Sequence, residues 1–297
     1  MLLVCAGAVA ALSAFGCASG DKPATTGSGI RVVATTTQIG ALTRQVAGDR
    51  VRLTVLLGAG ASAHDFEPGP DTLKQVNAAQ LVLKNGIGLD DWLDKAIASA
   101  GGKKKVVLVT EGVRTQRRPD GDDDPHVWHD ADNAARMVEN IVIALAAADP
   151  PNAAAFRANG DAYKQKLAAT DREIRALIDT IPPANRKVVT NHDAFGYFLD
   201  RYGLTFVGAV IPSTSSEAQP SARETAALQD LILREGVKAI FTEDEIDPKV
   251  AREISRDTGV KIIDNLYADS LGKAGSGADT LDGMLLSNAK KIAEALK

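Results

Sequence analysis

The chain has 297 residues, of which 45% are hydrophobic and 24% charged, ordinary proportions for a soluble globular protein of one large or two medium domains. Its 34 basic and 38 acidic residues leave a net charge of -4, a balance that argues against nucleic acid, which needs a basic face. A mildly acidic surface is compatible with a cationic ligand.

Residues 2–18 read L-L-V-C-A-G-A-V-A-A-L-S-A-F-G-C-A and carry no charge. A bilayer span takes about 20 apolar residues, so this shorter run reads as the apolar region of a secretory signal. Its end, A-F-G-C, resembles the lipobox of bacterial lipoproteins, in which the cysteine is acylated and becomes the mature N-terminus. Ala14 stands where that motif usually has Leu, and no basic residue precedes the run. The expectation is a signal peptide over 1–16, a lipid on Cys17, and a polar tether over 17–29. The competing reading is a simple signal with an incidental Cys17. Cys5 falls in the removed part, so the mature body has no thiol for a disulfide or a thiolate metal site.

From residue 30 the pattern alternates. Strand-like segments at 30–36, 51–57, 81–86 and 105–110 are interleaved with helical ones at about 37–47, 71–78, 89–97 and 130–148. Such alternation predicts βα units around a parallel sheet. Asp149 with Pro150 and Pro151 then opens a helix-forming stretch that runs to Ile181 and stops at Pro182-Pro183. Phe156, Tyr163, Leu167, Ile174, Leu177, Ile178 and Ile181 form one stripe along it. Gly160, which costs about 1 kcal/mol relative to Ala in a helix, marks a place for a local irregularity. The strand–helix pattern restarts at 187–191 and continues to a last helix near 279–296. The predicted fold is α/β: two βα lobes with parallel-type sheets, 30–148 and 183–297, joined by one long rigid helix, 149–182, with ligand in the inter-lobe cleft. Ligands in such sheets bind beyond the carboxyl ends of the strands.

Of the four histidines, three stand far apart in acid-flanked, loop-like contexts: His64 in A-H-D-F-E-P, His126 in D-D-D-P-H-V-W and His192 in T-N-H-D-A-F. Zinc fingers and helical metalloproteases place ligands in tight local clusters instead. Ligands spaced this widely must be gathered by the fold, which suits capture of one metal ion in a cleft. H-D-F-E-P-G-P-D-T-L-K-Q-V-N-A-A-Q-L-V-L-K-N-G, D-P-H-V-W-H-D, N-H-D-A-F-G-Y-F, Q-P-S-A-R-E-T-A-A-L and Y-A-D-S-L-G together resemble the metal-binding lipoproteins of bacterial ABC transporters for zinc and manganese. The likeness covers nearly the whole mature chain. It implies metal ligands His64, His126, His192 and Asp269, the last resting almost entirely on the likeness. It implies an ABC permease as partner, no nucleic acid, a monomer, and an extracytoplasmic location with the membrane reached through the lipid on Cys17. In this family a histidine at the third position is typical of zinc-type members and a glutamate of manganese-type ones, so Zn²⁺ is expected as the bound ion, with Mn²⁺ as the alternative. Imidazole suits Zn²⁺ and carboxylate suits Mn²⁺. The His-rich insert common before His126 in zinc-type members is here only T-Q-R-R-P-D-G-D-D-D.

His129 is expected to cap a helix or face solvent, and Asp122, Asp123 and Asp124 to form a solvated loop. Asp65, Glu67 and Asp193 are candidate partners for ligand imidazoles, with turn chemistry as the other reading. Trp92 and Trp128 are expected to be packing residues. Two further functions compete: a zinc hydrolase using the three histidines with a nearby carboxylate as base, and a surface adhesin. No H-E-x-x-H cluster supports the first, and no long exposed apolar or repeat region the second.

Overall fold

A computed structural model describes residues 29–100, 104–118, 121–213, 215 and 218–297. The signal peptide, Cys17 and nearly all of the tether lie outside these residues. In chain order the elements are β1 (Arg31–Ala34), α1 (Thr37–Ala47), β2 (Arg52–Val55), α2 (Pro70–Ala78), β3 (Leu81–Lys84), α3 (Trp92–Ala100), β4 (Lys105–Leu108), α4 (Ala131–Ala148) and α5 (Ala153–Ile178). They continue with β5 (Lys187–His192), α6 (Gly196–Tyr202), β6 (Thr205–Ile211), α7 (Ala222–Glu235), β7 (Ala239–Glu243), α8 (Lys249–Thr258), β8 (Lys261–Leu266) and α9 (Leu281–Leu296). No helix among the described residues is long and apolar enough to cross a membrane.

The strands form two four-stranded parallel sheets, ordered β2-β1-β3-β4 and β6-β5-β7-β8. Both have the same winding: the chain steps to one side of its first strand, then crosses to the other. In the second sheet the crossing lies between β5 and β7. A crevice opens at such a switch point outside the carboxyl ends of the strands. Val, Ile and Leu dominate the central strands, and β3 is buried along its whole length, as a sheet covered on both faces requires.

One apolar core runs through both lobes. It joins Ala34 and Leu83 of the first sheet to Val188 and Phe241 of the second through α1, α4, α5, α6 and α9. Smaller cores lie on the outer faces, under α2 and α3 in one lobe and α7 and α8 in the other. Phe156, Tyr163, Leu167, Ile174 and Ile178 of α5 all enter the shared core, which is the stripe expected from their spacing. The helix has 26 residues, about 39 Å at 1.5 Å per residue. Short 3-10 turns, Pro150–Asn152 and Pro183–Asn185, flank it. Gly160 introduces no irregularity; it is buried, and a methyl there would collide with Val142 of α4. Its role is close helix–helix approach.

Candidate metal centre

His64 stands on the segment between β2 and α2, where glycines and small residues give no regular structure. Trp92, at the start of α3, holds this segment: its indole N–H donates to the Ala63 carbonyl at 3.0 Å, and Phe66 packs edge-on to its ring at 4.7 Å. Trp92 thus acts as a donor as well as a packing residue.

His126 opens a 3-10 turn, Val127–His129, that leads into α4. Asp130 caps that helix, its side chain accepting from the Asp132 and Asn133 amides. The loop before His126 is pinned from two sides. Asp124 N donates to the Gln116 carbonyl at 2.8 Å, and Asn85 Nδ2 donates to the Pro125 carbonyl at 3.1 Å. Asn85 belongs to N-G-I-G-L-D, the turn after β3. Buried Asp90 fixes that turn by accepting from Thr35 Oγ1 and the Asn85 and Gly86 amides, each at 2.7 Å. Within it Ile87 is held at φ 54°, a left-handed conformation that costs a β-branched residue roughly 1–3 kcal/mol.

His192 is the last residue of β5, and Glu243 is the last residue of β7. The two strands flank the switch point, so the side chains meet there. Glu243 accepts from His192 Nδ1 and from the Asn191 and His192 amides. Asp269 follows β8, and its amide donates to Glu245 Oε1 at 2.6 Å.

These four residues converge. One ligand atom from each of His64, His126, His192 and Asp269 lies within 4.8 Å of the others. His64 Nε2 is 3.1 Å from His126 Nε2 and 3.6 Å from Asp269 Oδ2. His126 Nε2 is 3.1 Å from Asp269 Oδ1, and His192 Nε2 is 3.6 Å from Asp269 Oδ2. Donors around a tetrahedral ion with bonds of about 2.0–2.1 Å stand roughly 3.3–3.4 Å apart, so these four distances lie close to that spacing, within a set that spans up to 4.8 Å. His192 Nε2 and both Asp269 carboxylate oxygens are buried without a hydrogen-bond partner. Unpaired buried polar atoms are costly, and a shared cation would satisfy all three. The His64 side chain is 10% exposed and the other three are fully buried. His64 lines a polar cavity of about 500 Å³ with Asp91, Arg118, Asp122 and Asp123.

Electrostatics divides the set. Burial lowers His64 to about 4. Burial also pulls His126 down, but the Asp124 carboxylate overrides it and raises the ring to about 9. In His192 the same pull is overridden by Glu243 and Asp269, which hold it well above the usual histidine value. Burial pushes Asp269 up, and His192 and His126 bring it well below the usual carboxylate range. With no metal bound, the neighbouring carboxylates favour the protonated form of His126 and His192, so metal binding competes with protons at both rings.

The carboxylates behind the rings are not those expected from sequence. Asp124 accepts from His126 Nδ1 at 2.6 Å and from its amide at 3.0 Å, and is itself buried; it is no part of a solvated loop. Its position two residues before His126 was a usable signal for a side-chain turn. Glu243 lies 51 residues from His192 and had no local signal. Asp65 instead accepts from Ser215 Oγ at 2.9 Å, and Glu67 is exposed. Nor does His129 cap a helix or face solvent. It is fully buried between Trp128 and Phe195, with ring centroids at 5.8 and 4.9 Å, and burial lowers it to about 3.

Residues 32–295 match the family described as zinc-uptake complex component A, periplasmic. The chain is 32% identical over 290 residues to the manganese ABC transporter substrate-binding lipoprotein PsaA of Streptococcus anginosus, covering 94% of this chain and 93% of that one. Among solved structures, the periplasmic zinc-binding protein TroA of Treponema pallidum superposes with a TM-score of 0.84 at 29% identity, over 91% of this chain and 99% of that one. A manganese-bound periplasmic metal-binding protein of Candidatus Liberibacter asiaticus gives 0.81 at 26%, over 90% and 99%. With residues 32–295 matched by the family model and the two-sheet fold shared with the solved structures, the chain belongs to the family of periplasmic zinc-uptake component A, the substrate-binding proteins of metal ABC transporters.

Proposed function

We propose that this protein captures a divalent transition metal outside the cytoplasm and delivers it to an ABC permease, that His64, His126, His192 and Asp269 are the ligands, and that Zn²⁺ is the preferred cargo. The observation that carries the metal choice is the buried His192–Glu243 pair, which presents a third imidazole nitrogen to the site. Three borderline nitrogen donors and one carboxylate suit Zn²⁺ over Mn²⁺, and the general affinity order favours Zn²⁺ as well. Relatives named for manganese, such as PsaA, make Mn²⁺ the alternative. Four converging donors would complete the shell of a four-coordinate ion, a binding arrangement, whereas a zinc hydrolase keeps one position for water. A monomer anchored through a lipid on Cys17 is the matching form at the membrane.

The test is metal content by mass spectrometry after purification without added metal, followed by competition between Zn²⁺ and Mn²⁺. Zn²⁺ should win, and His64→Ala should weaken it at least about tenfold, equivalent to about 1.4 kcal/mol. His192→Glu sets a carboxylate against Glu243, so His192→Glu combined with Glu243→Gln is the better probe and should narrow the preference. Equal or tighter Mn²⁺ binding by the unaltered protein would overturn the zinc assignment.

A further inference from the structure

We propose that Trp128 and Gln38 are positioning residues for the fourth ligand, holding Asp269 from the opposite lobe before any metal arrives; the idea rests on Asp269 being a ligand. Asp269 belongs by chain to the C-terminal lobe, yet the residues that flank it directly, Ala268, Ser270 and Leu271, bond to the N-terminal one. The Ala268 carbonyl, immediately before it, accepts from Trp128 Nε1 at 3.1 Å and from Gln38 Nε2 at 3.3 Å. Immediately after it, Ser270 Oγ accepts from the Gly60 amide at 3.0 Å, and the Leu271 amide donates to Thr37 Oγ1 at 2.9 Å. The Asp269 amide is tied to its own lobe through Glu245, and Tyr267, two residues earlier, exchanges two bonds with Asn288 of α9.

The two donors are built for this. Trp128 is 1% exposed and Gln38 fully buried, so neither loses its bond to water. Trp128 sits two residues after His126, in the same 3-10 turn, with its ring 5.4 Å edge-on from the His126 imidazole. Gln38 lies in the first turn of α1, directed by Thr37 Oγ1, which donates to its Oε1 at 3.1 Å. One rigid unit thus places a ligand of its own, His126, and the backbone of the ligand facing it. The His126–Asp269 distance of 3.1 Å is set by that bridge as much as by the two sheets. Pre-organised ligands lose little freedom when the ion binds, and the benefit appears mainly as slower release.

The experiment measures Zn²⁺ affinity and chelator-driven release for the full chain and for Trp128→Phe, Gln38→Met and Asp269→Ala. Phe keeps the aromatic packing and deletes only the N–H; Met keeps the volume and deletes the amide. Each substitution should speed release about five- to tenfold, the worth of one hydrogen bond. Both should lose that effect in an Asp269→Ala background, because they act through Asp269. A residue that merely supports the fold would lower the metal-free melting temperature and act equally in both backgrounds; that outcome, or unchanged release, overturns the proposal and leaves the ligand assignment standing. Zn²⁺ binding undiminished by Asp269→Ala would remove both. If Trp128→Phe fails to fold, Gln38→Met, which leaves the ring in place, decides the matter alone.

Discussion

His126 and His192 are each backed by a carboxylate on Nδ1, which leaves Nε2 for the metal and makes the ring a better donor; losing such a partner typically costs 10–100-fold in metal affinity. Asp124→Asn should therefore weaken Zn²⁺ binding by at least about tenfold. It should also lower the His126 imidazole from about 9 toward the ordinary histidine value, readable by NMR titration of the metal-free protein. An unmoved titration would show that Asp124 does not set the charge of His126. His129 offers the contrasting case. Its ring nitrogens are buried without partners, and it packs at a tilt against Phe195 as an aromatic hydrocarbon would. His129→Phe should keep metal stoichiometry and affinity, measured by calorimetry, and hold or raise the melting temperature. A loss like that of His126→Ala would mean that His129 belongs among the ligands.

In α5 the local and tertiary preferences of Gly160 conflict. Ala is the better helix former by about 1 kcal/mol, yet the close approach of Val142 of α4 leaves no room for a methyl. Overpacking costs about 1–3 kcal/mol, so Gly160→Ala should lower the melting temperature by several degrees despite its propensity gain. A stabilised variant would mean that α4 shifts freely. By contrast, local signals and structure agree in α7. Ser221 and Glu224 form a reciprocal capping box, and Gly236 closes the helix in the left-handed conformation that residue tolerates.

The lobes share one core across α5 and are further joined at the Asp269 segment, so binding should tilt them modestly without wide closure. Solution scattering with and without Zn²⁺ should show nearly the same radius of gyration; a large drop would contradict the shared core. Stability should also depend on pH in opposite ways with and without metal. His126 is raised from 6.5 to about 9, so its contribution to the metal-free fold is complete below about pH 6.5 and lost as pH rises through about 9. Zn²⁺ needs the neutral ring, so its binding strengthens over that same interval. The rise in melting temperature on adding Zn²⁺ should grow from pH 6.5 to 9, a higher window than an ordinary histidine would give. Melts with a metal buffer across that range check it; a shift that is flat with pH would contradict the raised His126.

The alternation of apolar strands with helices determined the two parallel lobes, and the stripe from Phe156 to Ile178 determined the long helix, because both depend on periodicities that any local window contains. The contexts of His64, His126 and His192 were equally visible, since each is a short motif. What joins them was not. Glu243 meets His192 only because β5 and β7 become neighbours at the switch point, and Trp128 meets Ala268 only because the lobes face each other across 140 residues of chain. His129, a polar residue with no local sign of its surroundings, lies dry because two aromatic rings close over it. Asp124, two residues from His126, carried a local signal; burial and long-range pairing have no sequence period, so Glu243 behind His192 and the donors to the Ala268 carbonyl were decided by the tertiary structure alone.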